Sequence, residues 1–206
     1  MSRIRTYKSL EPLVLESGTE IPLLDVAFQT FGTLNKDASN VVWVCHALTG
    51  NSDVLDWWSQ FFGIGKLFDP EKHFIVCPNS FGSCYGTTGP ATFEKHGPRL
   101  NQFPFFTVRD MVQIHARLKT FLGIESINTL IGASLGGQQA MEWAISDQNL
   151  TDSLVLIATN AQHSPYGIAF NESQRLAIEN DASFGKIDGA KEGLKVARSI
   201  ALLSYR

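Results

Sequence analysis

Cysteine, clustered basic residues and long apolar runs are all scarce in this chain. Its 206 residues include three cysteines without paired spacing, which argues against a disulfide framework. Cys45 and Cys77 end apolar runs and are expected in the core. No apolar run approaches the length of a membrane-spanning helix, and residues 1–5 contain no apolar signal core. The sequence therefore predicts a cytoplasmic protein.

The charge balance limits the partners that the chain could bind. The formal net charge is -3 at pH 7 and the pI is about 5.9, with no dense cluster of Lys or Arg. We therefore expect neither nucleic acid nor a membrane as a partner. The apolar share of 44% and charged share of 18% are typical of a globular protein. The length predicts one domain with a sizeable core.

Phosphate- and metal-binding patterns are also missing. The segment from Gly63 to Lys66 lacks the first glycine of a phosphate-binding loop. The five histidines are never paired at metal-ligand spacing, and no Cys-x-x-Cys occurs. No histidine is followed by three residues and an aspartate, which disfavours histidine-based acyltransferases. We therefore expect no metal and no bound cofactor.

Apolar runs alternate along the chain with helix-forming segments. Strands are predicted at residues 10–15, 23–31, 41–45, 74–77, 127–133 and 153–159, the last as a buried strand. Thr107 and Asp110 form a capping-box pattern that begins a helix, and Gly123 ends it. Strands that alternate with helices predict an α/β fold with a mostly parallel sheet.

A Gly-x-Ser-x-Gly motif joins the strand at 127–133 to a helix-forming run. This is the strand–turn–helix context of a nucleophile elbow, in which the serine hydroxyl is raised above the sheet. The turn is so tight that the residues two before and two after the serine, Gly132 and Gly136, are expected to crowd each other. We predict Ser134 as the nucleophile.

A nucleophilic serine also needs a base to take its proton and an oxyanion hole to hold the developing charge. The first donor is predicted to be the backbone N–H of Leu135, directly after the serine. The second is predicted to come from residues 46–50, which follow a central strand, with the Leu48 N–H as the best candidate. His46 is expected to order this loop through hydrogen bonds, because the base of an α/β-hydrolase follows the nucleophile in the chain.

No complete catalytic triad can be assembled from the residues after Ser134. His163 is the one later histidine, and its place after the next strand suits a pocket wall or lid hinge better than a base. The later aspartates are expected in solvated or capping roles. They are Asp147, Asp152, Asp181 and Asp188.

The tail of the chain has a different pattern. Residues 170–180 and 189–205 are predicted as helices with no strand between them, as in a helical lid. We predict an α/β-hydrolase core over 1–164 and the beginning of a lid over 165–206. The fold is expected to be truncated there, without the strands that follow the lid.

Five segments together resemble the homoserine O-acetyltransferase family of α/β-hydrolases. They are HALTG at 46–50, PNSFGSCYGTTGP at 78–90, FPFFTVRDMV at 103–112, GASLGGQQAMEW at 132–143 and IAFNESQR at 168–175. The glycine-rich second segment is the most specific of the five. Two departures resemble subfamily variation: Thr87-Thr88, where many members have Ser-Thr, and Gln138-Gln139, where many have Met-Gln.

The resemblance implies an activity and a set of roles. Ser134 would take the acetyl group of acetyl-CoA, a co-substrate, and pass it to the hydroxyl of L-homoserine in methionine biosynthesis. A His–Asp pair would move the protons. Arg206 would bind the amino-acid carboxylate, with Arg175 as a weaker candidate, since a guanidinium suits a carboxylate. Family resemblance also implies a homodimer of the full-length enzyme.

Two alternatives stay open beside this function. One is a related enzyme, either a homoserine or serine O-succinyltransferase or an esterase. The other is a non-catalytic fragment whose exposed half-sheet is an interaction surface. Because the triad Asp and His are not found after Ser134, the 206-residue chain is expected to be inactive alone.

Overall fold

Ten strands and five helices make up the computed structural model, which describes residues 3–94 and 97–204. The strands are β1 (Arg5–Ser9), β2 (Leu13–Val14), β3 (Glu20–Ile21), β4 (Leu24–Phe31), β5 (Val41–Cys45), β6 (Phe74–Pro78), β7 (Phe93–Glu94), β8 (Gly97–Pro98), β9 (Ile127–Ala133) and β10 (Thr151–Ile157). The helices are α1 (Val54–Trp57), α2 (Val108–Phe121), α3 (Leu135–Ser146), α4 (Pro165–Glu179) and α5 (Lys191–Leu202), with a 3-10 turn at Leu100–Gln102.

The described residues divide into two compact units. The first contains residues up to 89 and residues 104–160, and the second contains 90–103 and the residues from 161 onward. The second unit thus includes α4 and α5, together with the β7–β8 hairpin. That the second unit acts as a lid, and that the core ends at residue 164, stay predictions. No helix among the described residues is both long enough and apolar enough to cross a membrane.

A six-stranded sheet in the order β1-β4-β6-β5-β9-β10 forms the first unit. The β6–β5, β5–β9 and β9–β10 pairs are parallel, and β4 pairs antiparallel with both β1 and β6. Helices connect the parallel strands, because a parallel crossover needs a long connection. The predicted α/β-hydrolase architecture, a mostly parallel sheet with helices, is confirmed.

The β5 strand lies at the centre of the core, and all five of its residues are buried. Val42 and Val44 belong to a cluster that includes Phe31, Ile75 and Ile131 from the neighbouring strands. On the other face, Trp43 packs edge-on against Trp143 of α3, with ring centroids 5.3 Å apart. The continuous apolar run of this strand is explained by burial on both faces.

The helix ends follow local sequence signals. Thr107 and Asp110 form both hydrogen bonds of the capping box at the start of α2, as predicted. The α3 helix ends at Ser146. The α4 helix begins five residues before the predicted 170, because Ser164 accepts a hydrogen bond from the Gly167 N–H and Pro165 occupies the first turn.

Two predicted strands were wrong in their bounds or burial, and one strand was missed. The β10 strand covers Thr151–Ile157 instead of 153–159, and it is not buried: Leu154 and Leu156 are 39% and 38% exposed. Among the described strands it pairs with β9 alone, which explains this exposure. The predicted strand at 10–15 is reduced to Leu13–Val14. The β1 strand was missed, because its sequence RTYKS has no apolar alternation.

Candidate active site

Ser134 occupies the turn between β9 and α3, with φ 52° and ψ -121°. A residue with a side chain rarely adopts a positive φ, so this backbone is strained and must be held by its surroundings. The Ser134 N–H donates to the Ile157 carbonyl at 3.0 Å, and its carbonyl accepts from Thr159 Oγ1 at 2.9 Å. The end of β10 and the residues after it therefore hold the serine in its strained conformation.

The two glycines of the motif are required for different reasons. A Cβ atom on Gly132 would lie 2.1 Å from the Gly136 carbonyl oxygen, which is the predicted crowding. A Cβ atom on Gly136 would instead lie 1.9 Å from the carbonyl oxygen of Cys45. The first turn of α3 thus packs directly on the end of β5, next to the beginning of the 46–50 loop.

The Ser134 side chain is exposed, and no described residue forms a hydrogen bond with its hydroxyl. The hydroxyl is therefore open to a reactant. Leu135 is the first residue of α3, where backbone N–H groups have no partner within the helix. The roles of Ser134 as nucleophile and of Leu135 as oxyanion donor stay predictions.

The 46–50 loop presents a backbone N–H at Leu48. The Ala47 carbonyl accepts from the His46 Nδ1–H at 2.7 Å and from the Gly50 N–H at 2.8 Å. In a trans peptide the C=O and the following N–H point in opposite directions, so these two bonds fix the direction of the Leu48 N–H. No described residue accepts a hydrogen bond from that N–H. The Leu48 side chain is 77% exposed. Its oxyanion role stays a prediction.

His46 is buried and both of its ring nitrogens are bonded. Nε2 accepts from the Ser80 N–H at 3.0 Å, so the ring proton is on Nδ1, which donates to Ala47. Burial lowers the pKa of His46, and the ring is therefore neutral near pH 7. The prediction that His46 orders the loop is confirmed.

The glycine-rich loop at 78–90 is tied to β4 by two hydroxyl groups. Thr87 Oγ1 accepts from the Ala27 N–H at 3.1 Å and donates to the Asn79 carbonyl at 2.9 Å. Thr88 Oγ1 accepts from the Asp25 N–H at 2.9 Å. Sequence reasoning treated these threonines as subfamily variation and missed that they fix the loop. Two adjacent hydroxyl residues in a long loop were the available signal.

The remaining predicted residues are placed as follows. Arg206 lies outside the described residues. Arg175 is on α4, where its Nε donates to Glu172 at 2.9 Å, and its substrate-binding role stays a prediction. Asp181 accepts from the Ser183 side chain and from the Gly193 N–H at 2.9 Å. These bonds, led by that from Ser183, lower its pKa to about 2.

Asp181 and Asp147 therefore have the capping and turn roles expected of them, since Asp147 accepts from the Asn149 N–H at 3.2 Å. The exposed Asp152 is on β10, and Asp188 lies in the α4–α5 connection. His163 precedes α4 in the second unit, and its predicted place in a pocket wall or hinge stays a prediction. Within the described ranges, no group of three His, Cys, Asp or Glu residues could hold a metal ion.

Residues 40–196 match the family described as the alpha/beta hydrolase fold. The chain belongs to the α/β-hydrolase family. This α/β-hydrolase is 46% identical over 200 residues to a homoserine O-acetyltransferase of Cyclobacterium marinum, which covers 95% of the chain. A homoserine O-acetyltransferase of Chlorobium chlorochromatii is 44% identical over 97% of the chain. The family resemblance read from the sequence is confirmed.

Solved structures of α/β-hydrolases agree with this assignment. The homoserine O-acetyltransferase of Staphylococcus aureus is 31% identical, covers the whole chain and superposes with a TM-score of 0.81. An acetylester hydrolase of Corynebacterium glutamicum is 25% identical over 98% of the chain, with a TM-score of 0.88. The chain spans 57% of the Cyclobacterium sequence, 59% of the Staphylococcus chain and 58% of the Corynebacterium chain.

Proposed function

We propose that the protein is an acyl-CoA-dependent O-acyltransferase that acetylates the hydroxyl of L-homoserine, a step of methionine biosynthesis. The observation that carries this proposal is the strained, exposed Ser134, whose hydroxyl has no hydrogen-bond partner among the described residues. The Leu48 N–H of the adjoining loop, which has no acceptor in the described part of the chain, adds a donor for an oxyanion. The names of the curated relatives supply the substrate class.

The proposed reaction has two acyl transfers at Ser134. The serine oxygen attacks the thioester carbon of acetyl-CoA, and the thiol of coenzyme A leaves with the serine proton. The homoserine hydroxyl then attacks the acyl-serine, its proton passes to Ser134, and the O-acetyl ester leaves. The Leu48 and Leu135 N–H groups stabilise the oxyanion in both steps.

A His–Asp pair is proposed to carry the protons, as the resemblance implies. The two buried histidines near the elbow do not fit this role. His46 has both ring nitrogens bonded, and so does His115 of α2. The prediction that the 206-residue chain alone does not turn over homoserine rests on the lack of a triad Asp and His after Ser134 in its sequence. Measuring thiol release by the purified chain with acetyl-CoA and homoserine tests it.

Other parts of the proposal concern binding and assembly. We propose that acetyl-CoA is a co-substrate. The homoserine carboxylate is proposed to bind Arg206, with Arg175 as a weaker candidate. The enzyme is proposed to be a cytoplasmic homodimer. Neither nucleic acid nor a membrane is proposed as a partner, given the net charge of -3.

Mass spectrometry of the full-length enzyme tests the acyl donor. The protein is mixed with acetyl-CoA or with succinyl-CoA, and the added mass and the modified residue are determined. We expect an acetyl group on Ser134 and none in the Ser134→Ala variant. A succinyl adduct would instead support the O-succinyltransferase alternative, and acetylation of Ser134→Ala would remove Ser134 from the mechanism.

An ester hydrolase is the second candidate, favoured by the superposition with the acetylester hydrolase of Corynebacterium glutamicum. The two functions differ in the fate of the acyl-serine. A transferase passes the acyl group to homoserine, whereas a hydrolase passes it to water at a rate that homoserine does not change. Product analysis with and without homoserine separates the two. A protein that is never acylated would support the non-catalytic fragment.

A further inference from the structure

A row of buried polar side chains extends beneath the elbow, within the first unit. Trp43 is on β5, His115 on α2 and Gln139 on α3, and all three are buried. The Trp43 indole Nε1 lies 3.1 Å from His115 Nδ1, and His115 Nε2 lies 2.9 Å from Gln139 Oε1. Polar groups in such a place need partners, because burying an unpaired one is costly.

The direction of each hydrogen bond in the row follows from the chemistry of its members. An indole N–H donates only, so His115 Nδ1 must accept and the ring proton must be on Nε2. That proton is donated to Gln139 Oε1, which turns the amide nitrogen of Gln139 toward Ser80 Oγ and the Leu135 carbonyl. Burial lowers the pKa of His115 to about 4, which keeps this tautomer uncharged at neutral pH.

Gln139 thus contacts the residue that bears one proposed oxyanion donor, and it reaches the loop that bears the other through Ser80 and His46. Its Nε2 lies 3.4 Å from the Leu135 carbonyl, in the first turn of α3, and 3.5 Å from Ser80 Oγ. The backbone of Ser80 donates in turn to His46 Nε2, and His46 donates to the Ala47 carbonyl. The peptide that begins at that carbonyl bears the Leu48 N–H.

We propose that Gln139 is a positioning residue, which sets the first turn of α3 and, through Ser80 and His46, the direction of the Leu48 N–H. This inference rests on the proposed function. Every hydrogen bond in the row is donated in the same direction, from Trp43 toward the Ala47 carbonyl. Each side chain in the row therefore has a single orientation. The peptide that begins at the Ala47 carbonyl has a single orientation for the same reason. Gln139 lies in the middle of the row and links its Trp43 end to its Ala47 end.

The test compares two variants with a control. Gln139→Met keeps the approximate shape of the side chain and removes its donor and its acceptor. Ser80→Ala removes the oxygen that Gln139 contacts, which also lies 3.4 Å from His46 Nε2, and keeps the backbone N–H that reaches His46. Gln113→Met makes the same chemical change as the first variant on a partly exposed position of α2. Thermal unfolding shows which variants fold.

The first readout is nuclear magnetic resonance, which does not depend on acyl transfer. In the wild type we expect the proton of His115 on Nε2 and that of His46 on Nδ1. The Leu48 amide resonance should shift in Gln139→Met and in Ser80→Ala and stay in place in Gln113→Met. If Gln139→Met does not fold, the position of the Leu48 resonance in Ser80→Ala decides the test. A Leu48 resonance unchanged in every folded variant at position 139 or 80 overturns the proposal.

The second readout is the rate of Ser134 acylation in the full-length enzyme at varied acetyl-CoA. Gln139→Met is expected to lower the maximal rate about 10- to 100-fold, somewhat less than the loss of a whole oxyanion donor, with little change in the acetyl-CoA concentration that gives half that rate. An unchanged maximal rate overturns the positioning role. If the wild type is not acylated, the proposed function fails, and the resonance experiment still decides whether Gln139 positions the Leu48 peptide.

Discussion

The indole N–H of Trp43 donates to Nδ1 of His115 at 3.1 Å in the centre of the first unit. Burial lowers the pKa of His115 from 6.5 to about 4. The bond from the indole likewise needs a ring without a proton on Nδ1. The folded protein therefore resists taking up a proton that the unfolded chain accepts readily. The histidine links the stability of the fold to pH.

The first prediction concerns acid. Above about pH 6.5 His115 is neutral in both the folded and the unfolded protein, so its titration does not change the free energy of unfolding. As the pH falls from 6.5 toward 4 the unfolded state binds the extra proton, and stability is lost by up to about 1.4 kcal/mol per pH unit from this group. His46, whose pKa burial also lowers, acts in the same direction. Urea midpoints across this range should fall less steeply for His115→Gln, and equal slopes would contradict the prediction.

Gly136→Ala should disrupt the elbow. The added Cβ would lie 1.9 Å from the Cys45 carbonyl oxygen, so α3 must move away from β5, at a cost of about 3 kcal/mol or more. Gly123→Ala is the control, because no atom lies within 4 Å of its Cβ position and the positive φ of 68° is its one source of strain. That variant should lose only about 1 kcal/mol. Urea unfolding measures both, and similar losses would count against the close approach.

Ser134→Gly should stabilise the protein while abolishing acyl transfer. Glycine adopts a φ of 52° without the strain of a side chain, which is worth about 1–3 kcal/mol, and part of that gain is offset by the freedom of glycine in the unfolded state. A net gain of about 1 kcal/mol is expected in urea unfolding. Ser134→Ala keeps the Cβ atom and should show no such gain. A glycine variant less stable than the alanine variant would refute a strained serine.

The α2 cap should be worth about 1 kcal/mol. Thr107 accepts from the Asp110 N–H, and Asp110 accepts from the Thr107 N–H at 2.9 Å, so Thr107→Ala removes half of the capping box, together with the bond that the Thr107 hydroxyl donates to Glu16. Thr120→Ala, near the other end of the same helix, removes a hydroxyl that bonds only to the Ala116 carbonyl. It should change stability by less than about 0.5 kcal/mol. Equal losses of stability in the two variants would mean that the capping hydroxyl contributes no more than the Thr120 hydroxyl, and would contradict the prediction.

Local signals in the sequence predicted the parts of the site that neighbouring residues determine. The elbow at Ser134 and the cap at Thr107 depend on residues within a few positions, so their patterns are visible in the chain. The exposure of β10 could not be predicted, because an apolar run does not reveal which strands and helices lie beside it. The contact of Gly136 with Cys45 likewise joins segments about 90 positions apart.

The row of polar side chains at Trp43, His115 and Gln139 was missed for the same reason. Each residue taken alone is an ordinary member of a strand or helix. Only the packing of α2 and α3 on β5 brings their polar atoms within bonding distance. Polar residues at core-facing helix positions were the only available signal. His115, for example, follows Ile114 and precedes Leu118 on the same helix.

The bond from the Ser134 N–H to the Ile157 carbonyl continues the β9–β10 ladder by one step beyond the last paired residues, Ala133 and Ile157. The serine therefore gains its conformation only once β10 has joined the sheet. Because β10 is the last strand of the described sheet, its separation costs less than unfolding of the interior. Brief fraying of this one strand would release the serine backbone into a relaxed geometry while β5 stays protected. In hydrogen exchange, the Ser134 amide should therefore exchange together with the amides of β10 and faster than those of the buried centre.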